Sequence, residues 1–359
     1  MITTGEARGI AEAWLREEAP RVPEFVGAIL VGSARARQPD APHPAASDVD
    51  LFLWVDAEVP SDIEHPRGRF APRKILREGV VLEPSFHDAR RLADPDAVVG
   101  DAHLAAAFAS PLILLDPTGR LAAVAQAVGP EYCRRRHVRR RLAQVLTQLE
   151  AISAHPRAPD LPALAPCWRH VALAIAVMLA AVAPLVAALR LPTVRRSLVA
   201  ARQALHEVGR DDLADALLRL AGGATLTRAE VEEHVAELWR AYDAAVEARR
   251  TPVVMDWNVS RDARALEQAA LGELVAEGHH REAAYPLLQL RTAVQGILEN
   301  DGDEEALAWS RAGYGRLLTA LGIGSDEAFH ARASALQAFV PDLRLGCEEV
   351  LARNPAVLD

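Results

Sequence analysis

The chain has 359 residues with 50% hydrophobic and 25% charged side chains, which excludes wholesale disorder and predicts two or three globular domains. Its formal charge of −9 and pI near 5.8 speak against a global nucleic-acid binder and leave room only for a local basic patch. Cys133, Cys167 and Cys347 are dispersed and odd in number, which fits neither a disulfide framework nor a zinc site and points to a reducing cytoplasm.

The first segment, MITTGEARGIAEAWLREE, has no basic-then-apolar leader pattern and reads as an amphipathic helix, with Thr3 and Glu6 spaced as a capping box. Short apolar runs of strand length follow at Val26–Val31, Asp50–Val55, Gly79–Phe86 and Pro111–Leu115. The proline-rich stretch Gln38–Pro44 lies between the first two as a loop, and residues 88–109 have helical composition.

Beyond about residue 130 the strand signals stop. Helical stretches are expected at 133–153, 166–190, 194–207, 211–221, 228–249, 261–277, 281–299, 303–321 and 326–339, separated by breakers such as Pro156, Pro159, Pro162, Leu191-Pro192 and Gly222-Gly223. Val171–Leu189 is 19 residues without a charge, long enough to span a bilayer by count. It is rich in alanine, interrupted by Pro184 and flanked by no pair of aromatic belts, so a buried central helix and no membrane partner are expected. The division expected is 1–128, 129–250 and 251–359.

The chemistry lies in Gly27–Val55, GAILVGSARARQPDAPHPAASDVDLFLWV. A strand runs into Gly32-Ser33, and Asp48-Val49-Asp50-Leu51 opens a second. Period-2 alternation puts Asp48 and Asp50 on one face and Val49 and Leu51 on the other. Two carboxylates facing the same way repel each other and make sense around a divalent cation, for which an all-oxygen donor set suits Mg²⁺. A helix following Gly32-Ser33 would offer backbone N–H groups and a hydroxyl to a phosphate. The alternative is a solvated strand edge beside an ordinary strand-to-helix turn.

The pattern apolar strand, Gly32-Ser33, spacer, Asp48-x-Asp50, apolar strand resembles the signature of the DNA polymerase β-like nucleotidyltransferase superfamily. The wording Gly32-Ser33-Ala34-Arg35 and Ser47-Asp48-Val49-Asp50-Leu51 looks especially like its aminoglycoside and small-molecule nucleotidyltransferases. By motif the resemblance covers residues 1 to about 125, and the helical region only by order and texture. It implies an α+β N-terminal nucleotidyltransferase domain, a small mixed sheet with flanking helices, followed by a large all-α helical region.

The resemblance further implies a two-metal Mg²⁺ site, an NTP donor (ATP first) and a small-molecule hydroxyl acceptor, aminoglycoside-like or a metabolite. It implies Asp48 and Asp50 as catalytic metal ligands, with Gly32, Ser33 and Arg35 on the triphosphate. A third carboxylate is implied on a neighbouring strand. Glu83, a lone carboxylate in an apolar run, is the best match, with Asp88, Asp62 and Glu78 in reserve. The 14 residues between Ser33 and Asp48 exceed the family's usual spacer, the excess being the proline-rich loop.

Weaker signals are the basic run Arg134–Arg141, read first as a solvated helix or one docked on acidic surface of its own chain, the pair Arg73-Lys74, and Glu150 as a base lent by the helical region. His170 is read as a core histidine. Nucleic acid is not expected as a partner, and the excess of amphipathic helix leaves a homodimer open. The reading from a different class is a non-catalytic regulatory or antitoxin-like protein that keeps the fold.

Overall fold

The computed structural model describes residues 2–359 apart from 61–69, 72, 155–166, 191–193 and 254. Asp62 and the breakers Pro156, Pro159, Pro162 and Leu191-Pro192 lie outside the described residues. The chain forms two compact units, one from Met1–Arg140 with Ser260–Ala270, the other from Arg141–Val259 with Leu271–Asp359.

The first unit is built on a mixed five-stranded sheet. Its strands are β1 (Phe25–Val31), β2 (Val49–Val55), β3 (Ile75–Arg77), β4 (Val80–Asp88) and β5 (Leu112–Leu115), in the order β3-β4-β2-β1-β5. β2 and β4 run parallel, and the other neighbours are antiparallel. Helix α1 (Thr4–Glu18) begins at the expected capping box, with the Thr3 side chain accepting from Glu6 N–H and Glu6 from Thr3 N–H. Its Ala7, Ala11, Trp14 and Leu15, at helical spacing, pack on one face of the sheet against Ala28, Leu30, Leu51, Leu53 and Leu82.

The alternate strand residues Ile29, Val31, Phe52 and Trp54 face the opposite side. There they pack under α3 (Pro95–Gly100), α4 (Ala105–Ala109) and α5 (Arg120–Val128). Four of the five strands sit where the apolar runs predict them. β3 does not follow from the sequence: it has three residues, and none of them is fully buried.

Between β1 and β2, the five-residue helix α2 (Gly32–Ala36) leads into the proline-rich loop. That loop is pinned to the start of α1, with Thr4 N–H donating to Ala41 O at 2.8 Å, Gly5 N–H to Pro39 O at 2.7 Å and His43 N–H to Ile2 O at 2.9 Å.

In the second unit, α7 (Trp168–Ala187) is, among the described residues, the helix long and apolar enough to cross a membrane, and 83% of its most apolar stretch is buried. His170 sits inside, its Nδ1 2.8 Å from the Tyr314 hydroxyl. The last helix, α14 (Asp326–Arg353), overruns its expected end at 339 and passes through Pro341. A proline inside a helix costs about 3 kcal/mol. Here the apolar stripe continues beyond it through Leu343, Cys347, Val350 and Leu351, all buried, and that packing outweighs the break.

Burial also fixes the protonation of two histidines. His87 on β4 stacks on Phe52, centroids 4.2 Å apart, and its Nε2 is sealed from solvent without a partner. Burial, reinforced by His103 and Arg91, pushes the imidazole down to about 3. His170 is likewise pushed down to about 4, first by burial and then by Arg169. Both fold neutral. The unfolded chain takes up protons below about pH 6.5, whereas the folded chain does so only near the depressed values. Stability is therefore full above about pH 6.5 and falls as pH drops through the window below it. Urea melts at pH 6.5, 5.5 and 4.5 should show this loss. His87→Phe should flatten it by up to about 1.4 kcal/mol per pH unit, and identical slopes in the two proteins would refute the assignment.

Candidate active site

The strand register builds the site. Asp50 on β2 pairs with Glu83 on β4, and Val31 on β1 with Asp50. Ile75 on β3 pairs with Leu82, so the preceding Lys74 falls opposite Glu83. A row of Lys74, Glu83 and Asp50 thus crosses three strands, on the face opposite α1. Asp48, just before β2, is on the same face by alternation. Asp48, Asp50 and Glu83 each bring one carboxylate oxygen within 4.8 Å of the others.

Glu83 is followed by Pro84 in mid-strand. Among the described residues β3 pairs with β4 only as far as Leu82, so a residue lacking N–H is tolerated beyond that point. The reserve carboxylates are elsewhere. Asp88 accepts from Arg90 at 2.5 Å, and Glu78 lies in the β3–β4 turn with a positive φ of 49°.

Lys74 and Glu267 are participants that the sequence does not single out for this cluster. The Lys74 ammonium donates to Asp48 Oδ2 at 2.8 Å and to Glu83 Oε2 at 2.5 Å, and Glu267 Oε1 lies 3.8 Å from it. Glu267 is on α11 (Arg264–Ala276), part of the remote segment that belongs to the first unit. In the same segment Asp262 accepts from Leu76 N–H of β3 at 3.2 Å. No local pattern in the sequence marks either contact.

Among the described residues the cluster sets one ammonium against four carboxylates, with the lysine side chain only 2% exposed. Burial pushes the Glu83 carboxyl above the ordinary carboxylate range. The Lys74 charge pulls it back, and the Asp48 charge pushes it further up. The donors are all oxygen. Two oxygens on one Mg²⁺ lie about 3–4 Å apart, and those of Asp48, Asp50 and Glu83 lie within 4.8 Å of one another. The residues therefore fit a divalent cation.

Gly32 ends β1 with φ +66°, and a Cβ there would lie 1.7 Å from Asp50 Oδ2 and 2.6 Å from its Cγ. Only glycine fits both this conformation and the close approach of the carboxylate. The Ser33 hydroxyl is 2.6 Å from that of Ser47, which ties the turn to the residue before Asp48. Arg35 does not extend from the turn as a loose cation. It donates from Nη1 to Ala106 O at 3.0 Å and Ser110 O at 2.8 Å. From α1, Arg8 donates to Ala34 O, Arg35 O and Arg37 O, capping α2.

The basic run is also engaged with its own chain. Arg136 pairs with Glu131 at 2.5 Å and Arg140 with Asp96 at 2.6 Å, while Arg141 is buried. Glu150 pairs with Arg344 within the second unit.

No family model and no curated protein matches the chain. Among solved structures, a nucleotidyltransferase-like protein from Exiguobacterium sibiricum 255-15 aligns over 93% of this chain and 88% of its own, at 12% identity and a TM-score of 0.27. That superposition is loose, and the site's own geometry carries the functional case.

Gly32→Ala should lower stability by at least about 1–2 kcal/mol through the left-handed backbone alone, with a further loss from displacing Asp50. Urea denaturation measures it. An unchanged midpoint would mean that Asp50 is not held against the turn.

Proposed function

We propose that the protein is an Mg²⁺-dependent nucleotidyltransferase that moves an NMP from an NTP to a hydroxyl of a small molecule, with release of pyrophosphate. The observation that carries this is the convergence of Asp48, Asp50 and Glu83 within 4.8 Å, beside a turn where a Cβ would overlap the Asp50 carboxylate. A carboxylate trio abutting a glycine turn is suited to holding a cation next to a phosphate chain.

Asp48 and Asp50 would hold Mg²⁺, with Glu83 positioning it from the neighbouring strand, and the ion would supply charge neutralisation at the transferring phosphorus. Gly32 and Ser33 would receive the triphosphate, main-chain N–H groups and the Ser33 hydroxyl being its donors. Arg35, which also fixes the turn through Ala106 O and Ser110 O, would turn its other N–H donors to the triphosphate. Glu83, raised above the usual carboxylate range first by burial, would take the acceptor's proton. The chemistry is displacement at phosphorus, so positioning and charge stabilisation supply most of the acceleration. ATP is the first donor to test and an amine-bearing polyol, as in aminoglycosides, the first acceptor class, because a cluster of carboxylates would attract it.

The test uses α-labelled ATP, GTP, CTP and UTP with Mg²⁺, a panel of aminoglycosides and other small hydroxyl compounds, and a metabolite extract. Wild type should transfer label to a small molecule. Asp50→Asn should lose at least about 100-fold in rate, the scale of removing one charge-stabilising group. Equal transfer by the two proteins would refute the site. Mg²⁺-dependent NTP binding without transfer to any acceptor would favour the non-catalytic alternative.

A further inference from the structure

The metal site proposed for the transferase, on which this inference rests, already contains a positive charge from the chain itself. Lys74 bridges Asp48 Oδ2 and Glu83 Oε2, with Glu267 next to it, and its side chain is almost wholly enclosed. A lysine ammonium is a compact point charge with three donors and no acceptor. It therefore does for these carboxylates what a bound cation does. A divalent ion placed between the same two oxygens would meet the ammonium at contact distance and be repelled, so ion and ammonium exclude each other there.

Asp50 is disposed differently. In the cross-strand row it stands on the β1 side of Glu83, and its Oδ2 lies against Gly32, at the turn that would receive phosphate. The cluster thus has two halves: Asp48, Glu83 and Glu267 around the ammonium, and the Asp48–Asp50 edge facing the glycine turn.

We propose that Lys74 is a tethered cation standing in the place of one of the two divalent ions, so that the site takes a single divalent cation, on the Asp48–Asp50 edge. Glu267, from a segment remote in sequence, is the fourth carboxylate that balances this internal charge.

The full chain is titrated with Mn²⁺ in metal-free buffer, with calorimetry giving the count and electron paramagnetic resonance the nuclearity. Wild type should bind one Mn²⁺ per chain with the spectrum of an isolated ion, and so should Lys74→Arg. Lys74→Met should bind two, with the spectrum of a coupled pair. In chelator Lys74→Met should melt well below wild type, because Asp48, Glu83 and Glu267 then lose the ammonium they share. Saturating Mn²⁺ should raise its Tm by more than it raises that of wild type.

Two coupled Mn²⁺ ions in wild type would overturn the inference while leaving the metal site standing, and that arm needs no variant to fold. A Lys74→Met protein that binds one Mn²⁺ with unchanged affinity would do the same. Absence of Mn²⁺ binding in both proteins would overturn the metal site and this inference together.

Discussion

Four carboxylates and one ammonium share a largely buried space at the end of the sheet, and much of the first unit is arranged to make that tolerable. Asp48, Asp50 and Glu83 have oxygens within 4.8 Å of one another. Burial raises the Glu83 carboxyl above its ordinary range, and the like charge of Asp48 pushes it further. The ammonium of Lys74 reaches two of them and Glu267 approaches a third side of it. Burying such a group is justified only where a counter-charge and hydrogen bonds come with it. Strand β3, three residues long and poorly buried, owes its place to its pairing with β4 and to the Asp262 contact at Leu76. It holds Lys74 opposite Glu83.

The turn beside the cluster is stiffened by hydrogen bonds, some of them from Ser33 and Arg35, which the sequence offers as phosphate ligands. Arg35 is anchored to carbonyls of Ala106 and Ser110, and Arg8 closes the C-terminal carbonyls of α2. Ser33 and Ser47 join hydroxyls across the turn. The proline-rich loop, instead of hanging free, bonds its backbone to the start of α1. The arginine and loop contacts satisfy main-chain groups that a five-residue helix and an irregular loop leave open. Together they fix Gly32 where the Asp50 carboxylate passes over it.

How far the sequence reveals this depends on range. Gly32-Ser33 and Asp48-x-Asp50 are legible because strand alternation is a local rule, and Glu83 because an ionisable group inside an apolar run is conspicuous. Helix α1 is legible from its cap and its spacing of Ala7, Ala11 and Trp14. Lys74 reads only as half of an unremarkable basic pair, since its partners come from other strands and from α11. The contact between Leu76 and Asp262 joins positions 186 apart, which no pattern within a window can show. Pro341 illustrates the opposite error: the local rule ends the helix, and burial on both sides of the proline carries it on.

The same distribution of charge bears on how a polyanion could be received. Arg136 and Arg140 of the basic run pair with Glu131 and Asp96, and Arg35 and Arg8 hold backbone carbonyls. Lys74 is committed to the carboxylates. These cations spend their charge inside the fold, and the chain as a whole is acidic, at −9. In the proposed reaction a triphosphate approaching Gly32 would meet the Asp48–Asp50 edge, which repels it until a divalent ion is present. The cation and the main-chain N–H groups of the turn would then be the main attractive partners. In that reaction nucleotide binding would be conditional on the metal, and the requirement would come from the internal ammonium and guanidinium contacts as much as from the carboxylates themselves.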